Sequence, residues 1–269
     1  MTSINKGTAL ITGASSGIGA VYADRLARQG YDLILVARSA DKLHELAARL
    51  RPTGRWVDVL PADLIDAADL LRVEEVLRTN PSITLLVNNA GIGATAPLLA
   101  SDVDAMQTMI TLNVTAPMRL AYAVAPAFVS RGKGTIVNIA SIVAIAPEML
   151  NGVYGGSKAF VLAFSQSLQH ELADKGVRVQ AVLPGATATD FWGIAGTPVE
   201  HLPKEIVMSA EAMVDAALAG LELGEGVTIP ALPEAADWER YDAARRALHP
   251  NLSRAEPAAR YRGHPAAAA

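Results

Sequence analysis

The chain has 269 residues, 51% of them apolar and 19% charged, with no cysteine and a formal net charge of −4. That composition describes a compact chain with a large core and argues against disorder. Mild acidity argues against nucleic acid as the principal partner, and the lack of cysteine excludes a disulfide framework, a thiolate nucleophile and Cys-ligated zinc.

No metal site is expected. No run approaches the roughly 18 uninterrupted apolar residues of a membrane span. Met1 to Gly7 contains no signal-peptide core, so a cytoplasmic protein is expected.

Thr8 to Thr12 reads as a buried parallel strand, followed by Gly13-Ala14-Ser15-Ser16-Gly17-Ile18-Gly19 and a helix from Ala20 to Gln29. Glycines between strand and helix let a backbone approach a diphosphate, and the free N–H groups of the helix start hold the anion. A plain tight turn is the simpler alternative. Leu33 to Ala37 is a second strand, and Arg38 follows it. An acid near this position takes the ribose hydroxyls of NAD, whereas an arginine accommodates the phosphate of NADP. NADP(H) is therefore preferred over NAD(H), although Arg38 also fits a solvated charge flanking a helix.

Asp41 to Leu50 reads as helix, Trp56 to Leu60 as a third strand closed by Ala62-Asp63-Leu64, and Ala67 to Thr79 as helix again. Ile83 to Val87 is a fourth strand leading to Asn88-Asn89-Ala90-Gly91. A long helical stretch, Asp102 to Val129, is interrupted at Pro117 and Pro126. Thr135 to Ile139 is a fifth strand ending at Ser141, a helix runs from Asn151 to about Asp174, and Val177 to Leu183 is a sixth strand broken by Pro184-Gly185. Met213 to Leu223 reads as helix and Val227 to Ile229 as a last strand. This alternation gives an α/β, Rossmann-type doubly wound parallel sheet of about seven strands with helices on both faces.

Beyond it, Pro233 to Leu248 places Trp238, Tyr241 and Leu248 on one helical face, which points to packing. Residues 249–269 are rich in Pro, Ala and Arg. Between Arg240 and His264 six arginines outweigh Asp242 and Glu256, which reads as a solvated tail or a clasp on a partner subunit.

Tyr154 and Lys158 stand four residues apart, on one face of a helix. A phenol titrates near pH ~10, and an ammonium within about 4–6 Å favours its ionised form. Lys158 could supply that ammonium. With six tyrosines and six lysines in the chain, the spacing alone is a coincidence of roughly one in eight.

Taken together, Thr12-Gly13-x-x-x-Gly17-x-Gly19, Asn88-Asn89-Ala90-Gly91, Asn113, Ser141, Tyr154-x-x-x-Lys158 and Pro184-Gly185 resemble the classical short-chain dehydrogenase/reductase family in order and spacing over roughly residues 8–190. The resemblance implies an NADP(H)-dependent oxidoreductase acting on a carbonyl or alcohol. It would place Gly13, Ser15, Ser16, Gly17, Ile18 and Gly19 on the cofactor diphosphate, Arg38 on the NADP phosphate, and Asp63 with Leu64 on the adenine. Asn89, Ala90 and Gly91 would lie along the adenosine ribose, with Asn88 stabilising the central strands.

Pro184, Gly185, Thr187 and Thr189 would lie near the carboxamide, Thr187 replacing the family's usual apolar residue. Tyr154 would be the general acid or base, Ser141 a second donor to the substrate oxygen, Lys158 a ligand of the nicotinamide ribose that depresses the Tyr154 pKa, and Asn113 the holder of a proton-relay water. Tyr154 and Lys158 thus touch both substrate and cofactor.

Ile142, Val143, Ile145, Pro147, Met149, Leu150, Phe191, Trp192 and Ile194 surround these positions, so an uncharged, fairly hydrophobic ketone or secondary alcohol is expected. Residues 1–231 are read as the dinucleotide-binding and catalytic domain, and 232–269 as a helical extension and tail. Two alternatives stand beside this reading. One is 3-oxoacyl-carrier-protein reductase, whose members usually end soon after the last strand. The other is a non-catalytic NADP(H)-sensing regulator, which loss of Asn113, Ser141, Tyr154 or Lys158 would favour. A homodimer or homotetramer paired through the helices near 102–130 and 151–174 is expected, with Ala159, Phe160, Ala163, Phe164 and Ser167 on the shared face.

Overall fold

The computed structural model describes residues 5–262. Residues 1–4 and 263–269, the ends of the leader and tail readings above, lie outside the described residues. The chain divides into two compact units, Met1–Pro230 and Ala231–Ala269.

In the first unit the elements run β1 (Thr8–Thr12), α1 (Gly17–Arg28), β2 (Asp32–Ala37), α2 (Ala40–Leu50), β3 (Val57–Pro61), α3 (Ala67–Thr79), β4 (Ile83–Asn88), α4 (Val103–Ile110), α5 (Ala116–Arg131), β5 (Gly134–Ile139), α6 (Gly152–Leu172), β6 (Val177–Val182), β7 (Thr187–Ala188), α7 (Phe191–Ala195), β8 (Met208–Ser209), α8 (Ala210–Leu223) and β9 (Val227–Thr228). Seven strands pair in parallel in the order β3-β2-β1-β4-β5-β6-β9. The order reverses between β1 and β4, so the crevice outside their carboxyl ends is where a doubly wound sheet binds its ligand.

Successive side chains of a strand point to opposite faces. Ala9 and Ile11 therefore join one core with Tyr22, Leu26, Leu43 and Val214, while Leu10 joins the other with Val73, Leu120, Val124 and Phe128. Both faces are buried, which explains the unbroken apolar runs of the strands. Between β4 and β5, Asn88 Nδ2 donates to Asn138 Oδ1 at 2.9 Å, and Asn138 Nδ2 donates to Ser165 Oγ at 2.9 Å. This ties the two strands to α6.

Three local differences from the sequence reading have physical causes. Helix α1 begins at Gly17, not Ala20, because the glycine turn flows directly into the helix after the extended Ser16. The stretch 102–129 is two helices joined by a π-helical turn, Thr111–Thr115; Pro117 sits in the first turn of α5 directly after that turn, and Pro126 is held inside α5. Residues 187–209 form β7, α7 and β8, too short to leave a periodic signal.

The second unit contains α9 (Ala235–Ala247), whose Trp238 and Tyr241 rings lie 5.4 Å apart. Leu248, expected on the same face, follows as the exposed C-cap. None of this unit's described residues is buried. Among the described residues no helix is long and apolar enough to cross a membrane.

Candidate active site

The glycine turn after β1 is closed by its neighbours. Thr12 Oγ1 accepts from the N–H groups of Asn89 and Ala90, both at 3.0 Å, and Asn89 Nδ2 donates to the carbonyls of Thr12 (2.9 Å) and Gly13 (3.2 Å). Gly13 has φ +64°, and a β-carbon there would lie 2.9 Å from Ala90 Cα. At Gly19 a β-carbon would come 2.3 Å from the Gly13 carbonyl oxygen. Only glycine fits either position. The extended Ser16 makes no side-chain capping bond, so the hydroxyl leaves the first N–H groups of α1 free. This cradle fits the diphosphate of a dinucleotide.

Ile18 is half-buried in the first turn, and Ser15 precedes Ser16 in the loop. Thr189 reaches over from the other side: a β-carbon on Gly17 would lie 3.0 Å from its Cγ2. Thr187 is buried, its Oγ1 donating to the Gly185 carbonyl at 3.2 Å and its own carbonyl accepting from Trp192 Nε1 at 3.0 Å. Pro184 contributes its carbonyl, which accepts from Ile142 N at 3.0 Å.

Arg38 is exposed immediately beyond β2 and makes no hydrogen bond or ion pair with the described residues. Asp63, beyond β3, accepts from Ile65 N at 3.1 Å, and Leu64 is buried beside it. These three residues line the neighbouring strand ends, on the β2-β3 side of the crevice.

Tyr154 sits in the first turn of α6 and is buried at 6% relative exposure. Lys158, one turn on, is also buried; its Nζ donates to the Ile139 carbonyl at 3.0 Å and lies 5.8 Å from the centre of the Tyr154 ring. Ser141 follows β5 and stands close enough to the Tyr154 phenol to favour its ionised form. Asn113 lies in the π-helical turn, donates to the Ile92 carbonyl (2.8 Å) and Ser157 Oγ (3.1 Å), and accepts from Ile92 N (3.0 Å). Both of its side-chain N–H groups are thereby used. Gly91 adjoins Asn113 and Lys158, since a β-carbon on it would lie 3.1 Å from Asn113 Oδ1 and 3.5 Å from Lys158 Nζ.

Burial pushes the Tyr154 phenol up to about 12, against the opposing influence of Ser141. In the cofactor-free protein Lys158 does not figure among the causes of this shift, its ammonium being directed at the Ile139 carbonyl. Burial also lowers the Lys158 ammonium to about 8. Below about pH 8 both folded and unfolded chains hold that proton; between about 8 and 10.5 only the unfolded chain does, so this group's contribution to stability rises with pH. Against Lys158→Met, the ligand-free protein is expected to gain about 2 kcal/mol between pH 7.5 and 9.5 in denaturant unfolding. A flat difference would contradict it.

Around Tyr154 the surface is apolar. Met109 and Val143 are buried against it, and Ile92, Ala94, Met106, Leu150, Val153 and Phe191 adjoin. The Phe191 ring lies 5.7 Å from that of Tyr154 and fills the space that a side chain at Gly93 would need. Outside α7 a cavity of about 350 Å³ is lined by Thr189, Asp190, Gly193, Ile194, Pro198, Val199 and Glu200.

Comparison with known proteins decides the family. Residues 7–197 match the model of the short chain dehydrogenases. The chain is a short-chain dehydrogenase/reductase. This oxidoreductase is 35% identical over 191 residues to an uncharacterized oxidoreductase of Staphylococcus epidermidis, spanning 70% of this chain and 81% of that one. It is 51% identical to the solved short-chain dehydrogenase from Sphingobium yanoikuyae in complex with NADPH, with a TM-score of 0.92 over 95% of this chain and all of the other. It is 47% identical to the bulky-bulky ketone specific alcohol dehydrogenase from Comamonas testosteroni, with a TM-score of 0.88 over 96% of this chain and 99% of that chain.

The dehydrogenase also contains functional groups that sequence reading left without a role. Ser157 receives Asn113 and donates to the Tyr154 carbonyl at 2.8 Å, and Asn151 caps α6. An Asn directly before an apolar helical run is a recognisable cap signal; Ser157 left none.

Proposed function

We propose that this dehydrogenase is an NADP(H)-dependent carbonyl reductase and alcohol dehydrogenase that acts on uncharged, hydrophobic ketones and secondary alcohols, with Tyr154 as its general acid and base. One observation carries the reading: the Tyr154 phenol lies on an apolar floor with Ser141 beside it and Lys158 Nζ 5.8 Å from its ring, next to the Gly91 backbone.

The bound nicotinamide supplies or accepts the hydride at the substrate carbon. The Tyr154 and Ser141 hydroxyls donate to the carbonyl oxygen, where negative charge develops during reduction. A phenol pushed up to about 12 is fully protonated at neutrality, the form required of an acid. As Tyr154 gives up its proton, the Lys158 ammonium stabilises the phenolate left behind. Lys158 is aimed by the Ile139 carbonyl, and Asn113 holds the Ile92 backbone that borders the site. In the oxidative direction the same groups act in reverse.

Arg38, at the end of β2 with no acid beside it, supports NADP(H), as does the NADPH complex of the Sphingobium relative. The apolar surroundings of Tyr154 and the bulky-bulky ketone specificity of the Comamonas relative support a large uncharged substrate. Asp190 and Glu200 outside α7 disfavour anions. The stacked rings of Phe160, Phe164 and Tyr122, with Tyr122 70% exposed, support pairing of two copies through α5 and α6 in a cytoplasmic homo-oligomer.

The test is NADPH oxidation with a panel of aryl, alkyl and polycyclic ketones set against 2-oxo acids. Turnover concentrated on the uncharged ketones is expected. Preferential reduction of the acids would overturn the substrate class.

A further inference from the structure

The first five residues of α6 are Gly152, Val153, Tyr154, Gly155 and Gly156. Glycine is the poorest helix former after proline, so the turn that carries the reacting hydroxyl has little tendency to stay helical by itself. Only Gly155 has a steric reason to be there, since a β-carbon would come 3.3 Å from Pro147. Gly152 and Gly156 are exposed, and a β-carbon on either would meet nothing within 4 Å.

Asn151 closes this weak turn from outside. It is 4% exposed. Its Oδ1 accepts from the N–H groups of Val153 (2.9 Å) and Tyr154 (3.3 Å), and its backbone carbonyl accepts from Gly155 N at 2.9 Å. Its Nδ2 donates to the Ala96 carbonyl at 2.6 Å and to Ser101 Oγ at 3.0 Å. The Ser101 hydroxyl in turn lies 3.1 and 2.9 Å from the carbonyls of Ala96 and Pro97. The helix start is thus bolted to the segment that follows β4. Thr95, next in that segment, bonds the Ala195 carbonyl through both its N–H (3.1 Å) and its hydroxyl (3.0 Å).

We propose that Asn151 is a positioning residue for Tyr154: its cap keeps the glycine-weakened helix start helical and so holds the tyrosine hydroxyl in place. The proposal rests on the reading of Tyr154 as general acid. Every polar group of the Asn151 side chain has a partner, and two of those partners are N–H groups in the same turn as the tyrosine. Loss of the cap lets this turn fray and displaces the hydroxyl, while the glycine cradle of α1 is untouched.

The test compares Asn151→Ala with the same substitution combined with Gly152→Ala and Gly156→Ala, at saturating NADPH and well below the melting transition. In Asn151→Ala, kcat for ketone reduction is expected to fall about 10- to 100-fold, the cost of displacing a catalytic group by about an ångström. KM for NADPH is expected to stay within about threefold. The two alanines strengthen the helix without restoring the bonds to Ala96 and Ser101, and should return most of the lost kcat. They also keep the test readable if the single variant does not fold.

Unchanged kcat in Asn151→Ala beside a lower melting temperature would show a merely structural cap and overturn the proposal. So would a folded triple variant whose kcat stays as low as the single one's. Tyr154→Phe, assayed in parallel, separates the two readings: full activity there overturns the acid itself, whereas an inactive Tyr154→Phe beside a fully active Asn151→Ala overturns the positioning alone.

Discussion

Tyr154→Phe is expected to lower kcat for ketone reduction by about 10²- to 10⁴-fold, the range that one positioned general acid supplies. The substitution removes a single oxygen. The ring keeps its place 5.7 Å from Phe191 and against Met109 and Val143, so the apolar floor is preserved. Ser141 loses a neighbouring hydroxyl but retains its bonds with Val143 N and the Pro184 carbonyl, both at 3.4 Å. The stability change should accordingly stay near about 1 kcal/mol, the net value of one hydrogen bond. NADPH affinity, measured by fluorescence titration, should change far less than kcat, because the glycine cradle for the diphosphate lies between β1 and α1. A variant that reduced ketones at the parental rate would remove Tyr154 from the chemistry.

Arg38→Ala is expected to weaken NADPH binding about 10- to 100-fold and leave NADH binding nearly unchanged, erasing the preference between them. The guanidinium is exposed beyond β2 with no partner among the described residues, so its removal breaks none of their contacts. An exposed charge contact is screened by ions, and the NADPH advantage of the parent protein should shrink as salt rises. Dissociation constants for both nucleotides at two salt concentrations provide the check. Equal loss of NADPH and NADH affinity would place Arg38 elsewhere than at the phosphate.

The cofactor half of the site was legible because it is local. A strand, a glycine turn and a helix start lie within some twenty residues, and the Gly13 and Gly19 contacts are consequences of that order. Tyr154 and Lys158 were legible for a similar reason, since helical spacing alone puts them on one face. What could not be read depends on depth and on single insertions. The four-residue spacing says how far apart two side chains stand but not that burial raises the phenol and lowers the ammonium.

The π-helical turn at Thr111–Thr115 shifts Asn113 by one residue within a continuous apolar pattern, a change that periodicity does not register. Strands β7 and β8 are two residues each and are paired only with one another, so nothing in the sequence marks them. Asn151 was read only as the start of a helix, which the structure shows it to cap. Its tie to Ala96 and Ser101 joins positions some fifty residues apart, and only the fold reveals it.

The most direct measurement is hydride transfer itself: reduction of a bulky aryl ketone by NADPH carrying deuterium at both positions of the nicotinamide C4, followed by mass spectrometry of the alcohol. Deuterium on the carbinol carbon is expected with the parent protein, and its rate of appearance should fall about 10²- to 10⁴-fold in Tyr154→Phe. Oxidation of NADPH without deuterium in any alcohol product, or label transfer undiminished in the variant, would contradict a hydride-transferring reductase built on Tyr154.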